Sequence, residues 1–302
     1  MYPVYFRPSP ALALKWERVE LKDGDFIDLC WNLPEPQDRT APIVAVLPGL
    51  GGSIVSKYAR GVMARMSKEG ARTVLVHARG ASGVPNRKPR AYHAGAWEDP
   101  AEVLEQIRAR FPEAPLFGVG FSLGGNVLLD LVAEVGPTLG MTGAVAVSVP
   151  MDLSACAGRL KRGLGRIYDA YLLRGLKDHV RQRRAVVGVD TSDALLARCR
   201  TVWDFDELVN APLHGFEGAE DYYARSSSRP RLARIEVPTL VVQAFDDPML
   251  DPTAMPEASE LSEAVTLEIA RWGGHVGFVE GSLLKPRYWI ESRVARFIED
   301  TK

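Results

Sequence analysis

Short apolar runs alternate with amphipathic stretches of helix length over much of the chain. The runs are rich in valine, leucine and alanine, and they lie at 43–47, 73–78, 116–121, 144–149, 239–244 and 265–270. Most of the stretches between them have the amphipathic pattern of helices. Strands that are apolar on both faces and separated by helices are typical of a parallel sheet that is covered on both sides. The pattern therefore predicts an α/β fold with a mostly parallel sheet flanked by helices.

Several segments refine this prediction. Residues 16–31 alternate around an Asp-Gly pair, which predicts an N-terminal β-hairpin. One helix is expected to begin with Asp99 as its cap and Pro100 in its first turn, and a closing helix is expected over 286–299. No convincing strand lies between Pro150 and Pro238. We therefore predict a core formed by residues 1–150 and 231–302, and a helical cap, residues 151–230, over the carboxyl ends of the strands.

The composition changes this picture little. Hydrophobic residues make up 46% and charged residues 25% of the chain, as in ordinary globular proteins, and the net charge of −1 favours no nucleic-acid partner. The three cysteines have no CxxC spacing, so we expect neither a disulfide framework nor a metal site. A reducing compartment is the simplest inference from this cysteine usage. Residues 1–8 lack a signal pattern and no apolar stretch approaches about 18 residues, so we expect a cytoplasmic protein.

Candidate chemistry begins at Ser122. This residue lies in Gly120-Phe121-Ser122-Leu123-Gly124, where a predicted strand changes to a predicted helix. A serine at the apex of such a turn is a candidate nucleophile. The turn is so sharp that a Cβ atom two residues away on either side would collide with the neighbouring strand or helix, and Gly120 and Gly124 avoid that collision. Taken alone, the pattern also fits an ordinary βα turn.

A nucleophilic serine needs a base, and the chain has five histidines. His275 follows the last predicted strand in a glycine-rich loop, which is the expected place for the base of this fold. His93 is a second histidine that could face the site. His77 ends a predicted strand, and His179 and His214 fall in the predicted cap, so these three have weaker claims.

The acid that orients this histidine is expected between the serine and the histidine in chain order. Asp246 and Asp247 follow the strand at 239–244 and precede Pro248. We favour Asp247, because this turn resembles the Gly-x-x-Asp-Pro arrangement usual at this point in hydrolases, with Ala244 in place of the glycine. Asp246 is the alternative and Asp251 is a weaker one.

When a serine attacks a carbonyl carbon, the tetrahedral intermediate carries a negatively charged oxygen, the oxyanion. Two backbone N–H donors are needed to stabilise it. One is predicted at Leu123, which follows the serine and starts the next helix. The other is predicted at Leu50, within the glycine-rich turn 47–53 after the first parallel strand. Such a turn can also bind phosphate, but no Gly-Lys-Ser/Thr or GxGxxG spacing is present, so a nucleotide site is not expected.

Taken together, these motifs resemble the YheT-like branch of the α/β-hydrolase family. The resemblance covers nearly the whole chain and rests on blocks in a fixed order, which lie at 47–53, 79–83 with 86–87 and 92–93, 120–126, 211–216 with 221–223, 246–248 and 273–275. It implies an α/β-hydrolase core, a triad of Ser122, Asp247 and His275, carboxylic-ester hydrolysis and, by analogy with eukaryotic relatives, lipid esters. Pro48 departs from the pattern, because many hydrolases carry a histidine there.

The predicted cap also carries a local excess of basic residues. These residues are Arg159, Lys161, Arg162, Arg166, Arg174, Lys177, Arg181, Arg183 and Arg184. They predict either a solvated helix face or a surface that contacts membranes weakly or attracts acidic substrates. Apolar residues alternate with them and are expected to cover an acyl pocket; these are Ile167, Tyr168, Tyr171, Leu172, Leu173 and Leu176.

We therefore expect a serine esterase that needs neither metal nor organic cofactor and acts on a small-molecule or lipid ester. Thioester or amide hydrolysis and acyl transfer use the same triad and stay open. A catalytically silent scaffold that binds a membrane or a protein is the alternative from another class. The oligomeric state, the natural substrate and the acyl-chain length are not predicted.

Overall fold

A computed structural model describes residues 7–186, 191–282 and 285–302 of the chain. Its main feature is one sheet of eight strands in the order β1-β2-β4-β3-β5-β6-β7-β8. Strands β3 to β8 are mutually parallel, whereas β2 runs antiparallel to both β1 and β4. In chain order the strands are β1 (Ala13–Glu20), β2 (Phe26–Leu33), β3 (Ile43–Leu47), β4 (Arg72–Val76), β5 (Leu116–Phe121), β6 (Met141–Val147), β7 (Thr239–Ala244) and β8 (Val265–Ala270). The predicted mostly parallel sheet is confirmed.

The predicted N-terminal hairpin is also confirmed. Strand β1 pairs with β2 from Ala13 opposite Leu33 to Glu20 opposite Phe26. Gly24 in the turn has a φ of 83°, a conformation that glycine adopts without steric cost. The hairpin is joined to the parallel strands through the pairing of β2 with β4.

Helices cover both faces of the sheet. These helices are α1 (Lys57–Lys68), α2 (Glu98–Arg110), α3 (Leu123–Val135) and, at the end of the chain, α10 (Trp289–Thr301). Successive residues of β3 show the two faces: Ile43 and Ala45 pack with residues of α2 and α3, whereas Val44 and Val46 pack with residues of α1 and α10. The central strands are therefore buried on both sides, as their apolar sequences predict.

A long helical segment connects β6 to β7. Within the described part of residues 151–230 there is no strand. Its helices are α4 (Leu153–Leu160), α5 (Gly165–Arg183), α6 (Asp193–Arg198), α7 (Val202–Phe205), α8 (Ala211–His214) and α9 (Ala219–Ser226), with a π-helical turn at Asp206–Asn210 and a 3₁₀ helix at Arg229–Arg234. Leu173 and Val180 of α5 pack on Leu196 and Phe205, so the segment has an apolar cluster of its own.

Two element boundaries differ from those predicted. Helix α2 begins at Glu98 after Trp97, and Asp99 does not cap it. The Asp99 carboxylate instead accepts hydrogen bonds from Arg79 Nε at 2.8 Å and Nη2 at 2.7 Å, and this ion pair is buried. The capping prediction was wrong because it weighed the local pattern without this long-range partner.

The closing helix also begins later than predicted, at Trp289. Before it, β9 (Val279–Ser282) and β10 (Lys285–Tyr288) pair antiparallel in a separate two-stranded ribbon. Residues 286–288, which the pattern assigns to the helix, therefore belong to β10. As for membranes, none of the helices in the described ranges combines the length and the apolarity that crossing a bilayer requires.

Candidate active site

Ser122 lies at the sharp turn between β5 and α3. Its backbone has φ 50° and ψ −122°, a strained conformation for a residue other than glycine. The Ser122 N–H donates to the Val147 carbonyl at 2.8 Å, and the Ser122 carbonyl accepts from Gly125 and Asn126 of the first helical turn. Neighbouring strand and helix thus hold the serine at the carboxyl edge of the sheet.

The glycines that flank Ser122 are required by close backbone packing. A Cβ atom on Gly120 would lie 2.5 Å from the Gly124 carbonyl oxygen. A Cβ atom on Gly124 would collide with the backbone oxygens of Leu47 and Pro48. These are the collisions with the neighbouring helix and strand that the sequence predicts. The close approach of Gly124 to Leu47 and Pro48 also places the turn that follows β3 against the turn that carries the serine.

Ser122, His275 and Asp247 form one hydrogen-bonded chain. His275 Nε2 lies 2.9 Å from Ser122 Oγ, and His275 Nδ1 lies 2.8 Å from Asp247 Oδ2. A carboxylate only accepts hydrogen bonds, so Nδ1 carries the proton and Nε2 is left to accept from the serine hydroxyl. The Asp247 side chain is fully buried, whereas that of His275 retains 14% exposure. The geometry therefore brings together the three residues predicted from sequence.

Asp246 contacts a different part of this site. Its Oδ1 accepts from the backbone N–H groups of Gly273 and Gly274, each at 2.8 Å. Asp246 therefore holds the loop that carries His275, while Asp247 contacts the imidazole itself. Asp251, the weaker candidate, accepts from Thr253 and caps a short 3₁₀ helix.

The loop of His275 is fixed on its other side by Ser148. Val276, the next residue after the histidine, donates its backbone N–H to Ser148 Oγ at 3.1 Å. Val276 has a φ of 54° and Ser148 a φ of 53°, which are uncommon values for these residue types. The role of Ser148 had no signal in the sequence, because a serine one position after a strand has no distinctive motif.

In the turn after β3, most backbone N–H groups are already hydrogen-bonded within the protein. Gly49 donates to Tyr58 Oη at 3.0 Å, Gly51 to Tyr92 Oη at 3.1 Å and Gly52 to the Gly49 carbonyl at 2.8 Å. Pro48 has no N–H. Among the hydrogen bonds of the described residues, none uses the N–H of Leu50 or of Leu123. Leu50 and Leu123 both line the cavity that contains Ser122.

The other four histidines lie outside this hydrogen-bonded chain. His77 is buried, and burial lowers its pKa. His93 lines the cavity and packs 4.3 Å from the ring of His214. Burial, with the nearby His214 and Arg90, lowers the pKa of His93 to about 3, and burial lowers the pKa values of His179 and His214 to about 4. These four imidazoles are therefore neutral near pH 7, and among the hydrogen bonds of the described residues only that of His275 joins an imidazole to Ser122.

Ser122 opens onto a cavity of about 580 Å³. One wall comes from the turn after β3 and from the Ser122 and His275 loops, and the helical segment forms the opposite wall. The helical wall is mainly apolar, with side chains that include Leu153, Ala157, Leu160, Ile167, Tyr171, Leu172, Leu176, Val202, Phe205 and Val209. Five of the six apolar residues that the sequence predicts there line the cavity, whereas Leu173 packs within the helical segment.

A polar cluster that the sequence did not reveal lies in the same wall. Asp206 Oδ2 accepts from Tyr223 Oη at 2.6 Å, and Asp206 Oδ1 accepts from Asn210 at 3.1 Å. Burial raises the pKa of Asp206 to about 7. Asp206 and Asn210 lie in a π-helical turn, and no local sequence pattern predicts such a turn.

The basic residues predicted as one surface group fall into different environments. Arg183 is buried, and its Nη2 donates to the carbonyl oxygens of Lys88 at 3.0 Å and Arg90 at 2.8 Å. Arg181 and Arg184 both pair with Asp193. Arg183 therefore belongs to the packing between α5 and a core loop rather than to an exposed patch.

Comparison with known proteins places this geometry in context. A family model described as "alpha/beta hydrolase fold" matches residues 42–282. "Putative esterase YheT" of Escherichia coli strain K12 is 40% identical over 97% of this chain and 87% of its own length. "Phospholipase ABHD3" of Homo sapiens is 26% identical over 98% of this chain and 74% of its own length. A solved structure of the esterase Pf2001 of Pyrococcus furiosus shares the fold, with a TM-score of 0.63, 17% identity and coverage of 97% of this chain and 96% of its own.

Proposed function

The chain belongs to the α/β-hydrolase fold family, and from this premise we propose that it is a serine hydrolase that cleaves carboxylic esters through an acyl-serine intermediate. The observation that carries the proposal is the unbroken hydrogen-bonded chain from Asp247 through His275 to Ser122, at 2.8 and 2.9 Å. Nucleophile, base and orienting acid lie at the distances that proton transfer requires.

In the first half of the reaction, Ser122 Oγ attacks the ester carbonyl carbon and its proton passes to His275 Nε2. The imidazolium that forms is stabilised by the Asp247 carboxylate, which keeps its charge. His275 then gives the proton to the departing alkoxide, and an acyl-Ser122 ester remains. In the second half, a water molecule repeats the sequence with His275 as the base, which releases the carboxylic acid and restores Ser122.

We assign the stabilisation of the negatively charged oxygen of the tetrahedral intermediate to the backbone N–H groups of Leu50 and Leu123. Their lack of a protein acceptor among the described residues supports this assignment, because donors that are already engaged could not reach an oxyanion. Leu123 also lies at the N-terminal end of α3, where the helix dipole favours a negative charge. Each such donor is worth about 10²- to 10³-fold in rate.

The helical segment, residues 151–230, is assigned the role of a cap that selects the substrate. Its apolar wall supports an ester with an extended acyl chain, since about 0.8 kcal/mol is gained per buried methylene. The human relative named a phospholipase is compatible with a lipid ester. Thioesters and amides would use the same three residues, and no contact in the described part of the cavity favours them.

A series of aryl esters with acyl chains of two to sixteen carbons, all assayed in the same non-ionic detergent that disperses the longer ones, tests this proposal. We expect the wild-type protein to hydrolyse them with a preference for medium or long chains. Ser122→Ala should lower kcat by about 10⁴-fold or more, because the attacking oxygen is lost. The matched control is Ser154→Ala, since Ser154 is an exposed serine of α4. Folded wild-type protein without turnover, or Ser122→Ala with turnover equal to Ser154→Ala, would contradict the proposal. A preference for acetate would refute only the assignment of an extended acyl chain.

A further inference from the structure

Four large apolar side chains are exposed close to the mouth of the cavity. The exposed fractions are 76% for Val55, 69% for Leu164, 57% for Ile167 and 68% for Tyr171. Val55, Ile167 and Tyr171 also line the cavity. Val55 belongs to the segment before α1 and the other three to α5 or its start, so both the core and the helical segment contribute exposed apolar side chains next to the cavity. We call these four residues the rim patch.

Folding of α5 does not explain the rim patch. The helix buries Leu173 and Val180 on the opposite side, in the apolar cluster of the helical segment. Leu164, Ile167 and Tyr171 are spaced three and four residues apart, which places them together on one helical face. Contiguous exposed apolar residues on a soluble protein mark an interaction surface.

Exposed basic residues flank the rim patch along the chain, on α5 and at its start. They are Lys161, Arg162, Arg166 and Arg174. Between residues 161 and 177 the sequence has one acidic residue, Asp169, which is buried and accepts from the Val202 N–H at 3.0 Å. Among the acidic side chains of the described residues, Asp251 interacts with Arg162, Asp178 lies 4.0 Å from Arg174, and the buried Asp169 interacts with Lys161. The surface around the cavity mouth is therefore basic.

We propose that the rim patch and its basic border dock the protein onto an anionic lipid surface, with the cavity mouth facing the lipid. An apolar strip bordered by lysine and arginine is the pattern of a helix that lies in a membrane interface. A protein partner on the same surface would cover the cavity mouth, whereas a lipid surface would present an acyl chain to it. The delivery of substrate by this docking depends on the proposed ester hydrolysis; the docking itself does not.

Vesicle co-sedimentation of the Ser122→Ala protein tests the proposal without turnover. The vesicles contain either phosphatidylcholine alone or, in about a 3:1 ratio, phosphatidylcholine and phosphatidylglycerol. We expect binding to the anionic vesicles that weakens as salt is raised, and little binding to the neutral ones. Each basic residue near an anionic surface strengthens binding roughly five-fold. Neutralising three of them, in Arg162→Gln with Arg166→Gln and Arg174→Gln, should therefore weaken binding about 100-fold.

A control for net charge replaces Lys15, Lys22 and Arg234, exposed residues outside α5, with glutamine. This variant should bind nearly as the parent does. Leu164→Asp should weaken binding at least ten-fold, because the apolar contact is lost. Leu164 does not line the cavity, so the same substitution in the active enzyme should leave hydrolysis of a soluble acetate ester unchanged.

Absence of vesicle binding by the folded protein would overturn the docking proposal, even if a protein partner were then found for this surface. Equal loss of binding in the α5 variant and in the charge control would also overturn it. If the vesicles are bound but no ester is hydrolysed by the wild type, the docking stands and the proposed function fails. If the wild type hydrolyses esters but binds no vesicles, the proposed function stands and the docking fails.

Discussion

Replacing Asp247 with asparagine probes the hydrogen-bonded chain at the point where the sequence left two candidates. Asparagine keeps the size of the side chain but removes its charge and makes one of its terminal groups a donor. A donor facing His275 Nδ1 would place the imidazole proton on Nε2. In that tautomer His275 cannot accept the proton of Ser122 Oγ.

The size of the effect follows from the short distance between acid and base. Asp247 Oδ2 and His275 Nδ1 lie 2.8 Å apart, and the carboxylate is fully buried. Two unit charges at this separation attract by roughly 6 kcal/mol at an effective dielectric constant of about 20. The imidazolium of the transition state loses this attraction in Asp247→Asn. We therefore expect kcat to fall about 10⁴-fold, as for the same change in other serine hydrolase triads.

Asp246→Asn is the matched control in a steady-state assay with a soluble aryl ester. The Oδ1 atom of asparagine can still accept from Gly273 and Gly274, so we expect a loss of less than about ten-fold, from the weaker hydrogen bonds alone. Circular dichroism would verify that both variants are folded. Two outcomes would refute the role assigned to Asp247 in the hydrogen-bonded chain. One is a larger loss of kcat in Asp246→Asn than in Asp247→Asn, and the other is a loss of kcat below ten-fold in Asp247→Asn.

Three further predictions address packing, charge and the cavity. Gly120→Ala should lower the free energy of unfolding by more than about 2 kcal/mol in denaturant titration, because its Cβ atom would lie 2.5 Å from the Gly124 carbonyl oxygen, whereas Gly175→Ala, on the open surface of α5, should not destabilise. Burial raises the pKa of Asp130 to about 8, although Arg231 lies 3.5 Å away. The folded protein therefore keeps this proton up to about pH 8, whereas the unfolded chain loses it near pH 4, so the free energy of unfolding falls as pH rises from about 4 to 8. Asp130→Asn should raise the free energy of unfolding at pH 8 by about 2 kcal/mol and flatten its pH dependence. Ala157→Trp fills part of the cavity, so kcat/KM for long-chain aryl esters should fall at least ten-fold, while kcat/KM for the acetate ester should change less than three-fold. An equal loss for both esters would contradict the assignment of the apolar wall to the acyl chain.

The parallel sheet was predictable because its strands have a strong local signal. The runs at 43–47, 116–121, 239–244 and 265–270 match β3, β5, β7 and β8 residue for residue. A strand buried on both faces, such as β3, is largely apolar, so its ends are marked where polar residues resume; β8 is less buried, and its signal is the apolar alternation of Val265, Leu267 and Ile269. The two-stranded ribbon β9–β10 has no such signal, because its residues Val-Glu-Gly-Ser and Lys-Pro-Arg-Tyr are exposed or half-buried and need not be apolar.

For the candidate site, the sequence supplied the residues and the structure supplied their partners. Ser122 and His275 were predictable from their places after particular strands. Position after a strand left both Asp246 and Asp247 open, because adjacent residues differ in the direction of the side chain, and Asp247 was favoured only because its turn resembles the Gly-x-x-Asp-Pro arrangement; the structure places Asp247 on the imidazole. Ser148 and Asp206 gain their positions from contacts with residues more than ten positions away, at Val276 and Tyr223. Arg183 was grouped with a basic surface for the same reason, since burial depends on distant segments.

Covalent labelling with a fluorophosphonate tests the central claim most directly, because the reagent reacts with a serine only where a base activates its hydroxyl. Mass spectrometry of the intact protein and of its peptides would locate the adduct. We predict one adduct per chain, on Ser122, which is absent in Ser122→Ala, strongly slowed in Asp247→Asn and retained in Ser154→Ala. Folded wild-type protein that stays unlabelled, or an adduct on a different serine, would contradict the assignment of Ser122 as the activated nucleophile.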